Sequence, residues 1–284
     1  MSPEDKIEKI LDDTLAQVQF GSDDATKKMV TALSSYISTF PNADGKFIME
    51  GSAEYLQRIN VILAEAINNS KYPSAVAQCV RSIEEITELS QQVLTNYNPK
   101  VKIDFDRLGV SQIRTAQIET IVNNMTGDSL TAEIRQPIRE ALQRNVFAGS
   151  KLTDTRNYIS DFLTKQEGQK YARLTRYAMT WAQDGILQYD GQIYDQFRTT
   201  YGTNYIMYIG SLIGDSRPQC IRWVSKFDGK IPVNQLQAEI KWAFTSGSGM
   251  NLATTTSSFC TYRGGYRCRH KAIPVFEPEP DDNE

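Results

Sequence analysis

The side chains best suited to chemistry at a defined point in this sequence are its few thiols and its single imidazole. Cys220, Cys260, Cys268 and His270 all fall in the last third of the chain. Together they form a three-sulfur, one-nitrogen donor set of the kind that holds structural zinc in a tetrahedron. If Tyr266 to Val275 is a strand, alternation puts Cys268 and His270 on one face, two residues apart. There is no close Cys-x-x-Cys pair, so the plainer reading is small buried thiols beside one hydrogen-bonded histidine. The cofactor expectation is therefore structural zinc or none.

The same stretch carries a second candidate. From Cys260 to Val275 there are Arg263, Arg267, Arg269 and Lys271 and no acidic residue. In the expected strand, Arg267, Arg269 and Lys271 share the face opposite the thiol and imidazole. Such a stripe can contact nucleic-acid phosphates without reading sequence. Its bland alternative is a solvated face, or pairing with Asp215 or Asp228. Asp215 and Arg217, at the end of an expected strand, suit fixing a turn better than catalysis.

Other chemistry is hard to find. One histidine leaves no redundancy for Ser-His-Asp or Cys-His catalysis, and no catalytic residue is assigned. Gly247-Ser248-Gly249 lacks the lysine and the strand context of a phosphate-cradling loop. Glu84-Glu85 and Asp281-Asp282 read as solvated faces or tail. With 31 Lys plus Arg against 34 Asp plus Glu, the net charge of -3 excludes a surface that coats nucleic acid throughout. Four cysteines in 284 residues are too sparse for a disulfide scaffold. No apolar run approaches membrane-spanning length. The N-terminus reads as an amphipathic segment rather than a signal peptide, so synthesis in the cytosol is expected.

The elements that must position these residues follow from periodicity. Ser2-Pro3-Glu4-Asp5 is a helix start. Ile7, Ile10, Leu11, Leu15 and Val18 recur at helical spacing after it. A second helix is expected from Asp24 to Phe40, closed by turn residues from Pro41 to Gly45. A third runs through Leu56 to Ile67, and a fourth follows Tyr72-Pro73. Asn96 to Asp104 is the expected boundary between a helical part, 1–104, and a second domain, 105–275. Pro137 predicts a kink or a helix start. A long helix is expected from Gln169 to Thr200. Beyond Gly202 the pattern changes to extended segments, with Tyr205–Ile209 as a central strand. Residues 276–284 read as an acidic disordered tail. The fold class is α+β, a helical N-terminal part followed by a compact mixed domain with a small β-sheet.

In order and spacing, the segment from Ser150 to Val275 resembles the C-terminal domain of the phage Mu F-like minor head (head morphogenesis) proteins. In that family a long helix and a strand lead to an Asp-x-Arg segment, a Gly-containing turn and a closing Gly-x-x-Cys-Arg-Cys/His strand. Here these are Asp215 and Arg217, then Asp228-Gly229, then Gly265-Tyr266-Arg267-Cys268-Arg269-His270. The family's usual histidine after Asp-x-Arg is Cys220, which preserves a ligand role but not acid–base chemistry. The resemblance implies a minor capsid protein of a tailed phage, made in the host cytoplasm and carried in the virion, inside the head or at the portal vertex. The implied partners are the portal protein, the coat or scaffold protein and packaged DNA, with no membrane. The alternative is a small nuclease or toxin-like enzyme using Arg217, Arg267, Arg269 and His270.

Overall fold

The computed structural model describes residues 1–164, 168–226 and 228–276. Among these the chain is mostly helical. It runs α1 (Pro3–Ile37), a short hairpin β1 (Asn42–Ala43) and β2 (Lys46–Phe47), α2 (Ser52–Asn68), α3 (Tyr72–Tyr97) and α4 (Val110–Thr126). Then come α5 (Asp128–Leu130), a π-helical turn (Thr131–Arg135), α6 (Gln136–Phe147), α7 (Leu152–Leu163) and α8 (Arg173–Tyr201). The last part holds β3 (Tyr205–Ile209), α9 (Pro218–Ser225), β4 (Lys230–Pro232), a 3-10 turn (Val233–Gln235), α10 (Leu236–Ser246), α11 (Phe259–Tyr262) and β5 (Lys271–Val275). The α+β class expected from periodicity is the class observed. No helix among the described residues is long and apolar enough to cross a membrane.

The chain divides into two compact units, and the division does not fall at residue 104. One unit is Met1–Leu11, Ser82–Ile118 and the chain from Gln183 onward; the other is Asp12–Arg81 with Glu119–Ala182. A linear reading could not place this boundary, because each unit is assembled from segments far apart in sequence. Of the expected tail, 276–284, Phe276 is held by a hydrogen bond from its N–H to Asn98, and residues 277–284 lie outside the described residues.

In the unit of residues 12–81 and 119–182, apolar residues at helical spacing form the core: Val18, Met29, Leu33 and Ile37 from α1, Ile59 and Leu63 from α2, and Ile121, Ile134, Ile138 and Leu142 further on. The separate second helix expected from Asp24 is not observed, and α1 is continuous from Pro3 to Ile37. Gly21 sits where the start of α3 packs closely. A Cβ there would lie 2.8 Å from Ala75 Cβ and 2.9 Å from the Lys71 carbonyl oxygen. The turn expected at Pro41 to Gly45 is the tip of the β1–β2 hairpin, in which Ala43 pairs with Lys46. Asp44 and Gly45 there take φ of 52° and 74°, the left-handed pair that a two-residue hairpin loop requires. Pro137 lies in the first turn of α6, directly after the π turn, so of the two expectations, kink or start, the start is the one observed.

In the other unit a three-stranded antiparallel sheet has the order β4-β3-β5. Its register places Ile206 opposite Ile231, and Tyr208 opposite Ala272. Tyr205–Ile209 is the central strand, as expected, with Ile206 and Tyr208 on its buried side. The edge strand β5 is shielded by Asn98, just past α3. Its amide donates to the Pro274 carbonyl at 3.1 Å and its oxygen accepts from the Phe276 N–H at 3.3 Å. This caps backbone groups that would otherwise offer an open edge, and Pro274 is tolerated because it lies on such an edge.

The expected closing strand from Tyr266 is shorter than the sequence suggests. Pairing begins only at Lys271. Arg263 and Arg267 both adopt positive φ, 45° and 56°, and Cys268 N–H closes a turn onto the Gly265 carbonyl at 3.2 Å. The two-residue alternation assumed for Tyr266 to His270 therefore does not hold.

Gly21 gives a direct test. In an open helix Gly→Ala is worth about 1 kcal/mol in favour of alanine. Here overpacking reverses the sign, so Gly21→Ala is expected to destabilise by about 1–2 kcal/mol. Chemical denaturation read by circular dichroism measures this; a stabilised variant would refute the close approach.

Candidate functional site

The site is built on α8. Along its buried face lie Tyr189, Ile193, Tyr194 and Phe197, interrupted by Asp190, Gly191 and Asp195. Asp190 is fully buried, at 0% exposure. It accepts a hydrogen bond from Ser90 of α3 at 2.8 Å and faces Arg263 Nη2 and Lys271 Nζ, each at 3.4 Å. Burial alone would raise the Asp190 carboxyl. The two cations and Ser90 override it, and the group is held below the usual carboxylate range. Burial pushes the Lys271 ammonium down, opposed by Asp190.

Arg263 does more than neutralise Asp190. Its Nε donates to the Cys260 carbonyl at 2.8 Å, Nη1 to the His270 carbonyl at 3.1 Å and Nη2 to the Leu187 carbonyl in α8. One buried guanidinium thus fixes both ends of the loop from Cys260 to His270, and this network accompanies its left-handed backbone, which ordinary residues adopt only when surroundings impose it. Asp195 holds the start of α11. It accepts the Cys260 and Thr261 N–H groups at 3.1 and 2.8 Å and the Thr261 hydroxyl at 2.8 Å. Gly191 lets α11 approach, since a Cβ there would overlap the Cys260 carbonyl.

Two of the four expected phosphate-contacting cations are therefore not on the surface. Arg263 is 1% exposed and Lys271 7%, both consumed by the buried charge cluster. Only Arg267 and Arg269 are exposed. Arg269 lies 3.6 Å from Glu8, and the Arg267 N–H is bound by Asp184 at 2.9 Å.

The Asp-x-Arg segment reaches the closing segment with successive side chains. Arg217 donates to the Gly264 carbonyl at 2.9 Å and to the Tyr266 carbonyl. Gln219 donates to the same Gly264 carbonyl at 2.9 Å and exchanges bonds with Ser248, 2.6 Å to its carbonyl and 3.1 Å from its N–H. Cys220, on α9, then places its sulfur 3.8 Å from that of Cys268. Arg217 thus ties the start of α9 to the distant segment at Gly264–Tyr266, a structural role reached across the fold and not within its own turn. Asp215 is exposed at the rim. Asp228-Gly229 forms the expected turn with left-handed φ at both positions, and the Gly229 carbonyl accepts the Tyr208 N–H at 2.6 Å. Gly265, at φ 101°, leaves room for the Gly249 carbonyl, which a Cβ would overlap.

Cys220, Cys268 and His270 come together; their ligand atoms all lie within 4.8 Å of one another, and all three residues are buried. Cys260 is not in this group. It is fixed on α11 beside Asp195, so the expected four-ligand set is corrected to three. The Cys268 sulfur is 3.6 Å from His270 Nδ1. The Tyr208 hydroxyl sits 3.3 Å from the Cys220 sulfur and 3.4 Å from that of Cys268, and its ring stacks on His270 with centroids 5.2 Å apart. Hydrogen bonding to Cys220 first, and then to His270 and Tyr208, pulls the Cys268 thiol well below the normal range despite its burial. The same contact with Cys268, together with burial, pushes Cys220 up.

The cluster forms one wall of a cleft of about 500 Å³, lined also by Glu8, Gly210, Asp215, Arg217, Arg267 and Arg269. Helix α9 is locked to α10 by Glu239, which is buried on its own side chain. It receives Arg222 at 2.6 and 2.9 Å, Lys226 at 2.8 Å and the Trp223 indole N–H at 3.2 Å. Burial works to raise its carboxyl, but Arg222 and Lys226 outweigh burial and hold it at about 2.

Sequence reasoning missed Asp190, Gly191, Asp195, Gln219 and Glu239. For the α8 residues a signal was present, because two aspartates and a glycine interrupt the apolar face of a long helix. For Gln219 and Glu239 there was none.

Glu239 titrates from 4.5 unfolded to about 2 folded, so its contribution is complete above pH ~5 and disappears as pH falls toward 2. Glu239→Gln is expected to destabilise by about 2 kcal/mol at pH 7, and the difference from wild type should shrink as pH falls toward 2.5. Denaturant melts at the two pH values check this; a gap that stays constant refutes the depressed carboxylate.

Compared with protein-family models, curated proteins and solved structures, the chain gives no match.

Proposed function

We propose that this chain is a minor capsid, head morphogenesis protein of a tailed bacteriophage, associated with the portal and carried inside the head or at the portal vertex. The observation that supports the reading is the convergence of the two halves of the motif. Arg217, Gln219 and Cys220 all bond to, or touch, the segment from Gly264 to Cys268. The order of long helix, strand, Asp-x-Arg, Asp-Gly turn and closing segment serves one local construction, in keeping with the resemblance. In this reading the motif residues build a module, and the protein acts through its surfaces: contacts with the portal and with coat or scaffold protein, and DNA handling at packaging or ejection.

The DNA component is smaller than four clustered cations would allow. With Arg263 and Lys271 buried, phosphate contact falls to Arg267 and Arg269 at the cleft rim. A second reading, a nuclease or toxin-like enzyme, has one observation in its favour: Arg217, Arg267, Arg269 and His270 all line that cleft. Against it, Arg217 is occupied by two carbonyls and His270 Nδ1 faces Cys268.

Co-expressed with the portal protein of the same phage, the chain is expected to co-purify with it and to be found by mass spectrometry in assembled heads. Failure on both counts overturns the head-protein reading. Replacing Arg267 and Arg269 with Ala should weaken DNA retention and lower the slope of log affinity against log salt by up to about 2, while portal binding persists. Undiminished DNA binding removes the DNA component. Plasmid cleavage that disappears in His270→Ala would favour the enzyme instead.

A further inference from the structure

The cluster at Cys220, Cys268 and His270 has the dimensions of a metal site. For a tetrahedral zinc ion with Zn–S of about 2.3 Å and Zn–N of about 2.0–2.1 Å, the sulfur–sulfur edge is about 3.8 Å and the sulfur–nitrogen edge about 3.6 Å. The Cys220–Cys268 and Cys268–His270 Nδ1 separations are 3.8 and 3.6 Å. Both edges match before any adjustment, and the third lies within 4.8 Å.

The surroundings are shaped to the same end. Gly264 closes one side, where any Cβ would lie 2.5 Å from the Cys220 sulfur and 2.8 Å from that of Cys268. Gly210 makes room for the imidazole, since a Cβ there would stand 2.7 Å from His270 Cδ2. The Tyr208 ring fixes the imidazole plane by stacking, and its hydroxyl is placed to hydrogen-bond both sulfurs. Partners of this kind orient metal ligands. His270 Nε2 is buried without a hydrogen-bond partner among the described residues. No protein group therefore fixes which ring nitrogen carries the proton, and Nδ1 is the nitrogen that faces the Cys268 sulfur. Two soft sulfurs and an imidazole select zinc over magnesium or calcium.

We propose that Cys220 Sγ, Cys268 Sγ and His270 Nδ1 bind one zinc ion, with the fourth position open to solvent in the cleft beside Asp215 and Arg217. The ion clips α9 to the segment that enters β5, two pieces joined otherwise by the hydrogen bonds of Arg217 and Gln219. The site is independent of the head-protein reading and stands or falls on metal binding alone.

The test uses the full-length chain purified from zinc-supplemented medium without chelator. Elemental analysis should give one zinc per chain. Cys220→Ser, Cys268→Ser and His270→Ala should each lower zinc content at least tenfold, whereas Cys260→Ser should keep it. Wild-type protein stripped of metal and loaded with cobalt(II) should show a thiolate-to-cobalt charge-transfer band and the intense visible bands of tetrahedral geometry. This readout stands even where a ligand variant fails to fold. Three results overturn the proposal: wild-type protein that takes up neither zinc nor cobalt, zinc retained undiminished by the ligand variants, or an intact mass lower by two hydrogens from a Cys220–Cys268 disulfide.

Discussion

The buried charge cluster around Asp190 is the constraint on which the rest of the C-terminal construction depends. A carboxylate with no solvent access, set in the middle of a helix, must be met by cations from elsewhere in the chain. Arg263 and Lys271 meet it, and they are separated by the very segment that carries Cys268 and His270. Anchoring both ends of that segment on α8 dictates where it can run. Arg263 adds three backbone carbonyls as acceptors, so the loop from Cys260 to His270 is held by directed, charge-assisted hydrogen bonds as well as by apolar packing. Removing one partner from such a network leaves the others buried and uncompensated, so these residues act as a set.

Once that segment is fixed, the remaining contacts follow from it. The Gly264 carbonyl points at α9, where both Arg217 and Gln219 reach it. Glycine at 264 is required because the sulfurs and the Tyr208 hydroxyl lie where a side chain would begin. The motif residues are thus chiefly concerned with one another. A motif of this type marks a way of folding, and activity has to be sought in what the folded module presents.

What it presents is a cleft with two faces of different character. The inner wall is a soft donor set of two sulfurs and an imidazole; the rim carries Asp215, Arg217, Arg267 and Arg269. In the Cys220–Cys268 pair, hydrogen bonding from its neighbours lowers the Cys268 thiol although it is buried. Cys79 makes the contrast: it lacks such neighbours, and burial pushes its thiol up to about 12.

The sequence by itself determined what depends on local rules. Helical periodicity, Pro at helix starts and turn residues located nearly all the long helices, the central strand and the Asp228-Gly229 turn, because these features respond to near neighbours. It also brought forward Cys220, Cys268 and His270, through residue chemistry and the order of the motif. Tertiary structure alone decided the rest. The sequence divides Pro3–Ile37 into two helices, and the continuous α1 is seen only in the fold, where Gly21 meets the start of α3. Arg263 and Lys271 look like a surface stripe in a segment without acids, because their partner Asp190 lies more than seventy residues upstream. Cys260 belongs chemically with the other thiols, yet Asp195 and Gly191 hold it on α11. A charged residue is buried or exposed according to the partner that the fold delivers to it, and that partner's position is a property of the long-range path of the chain.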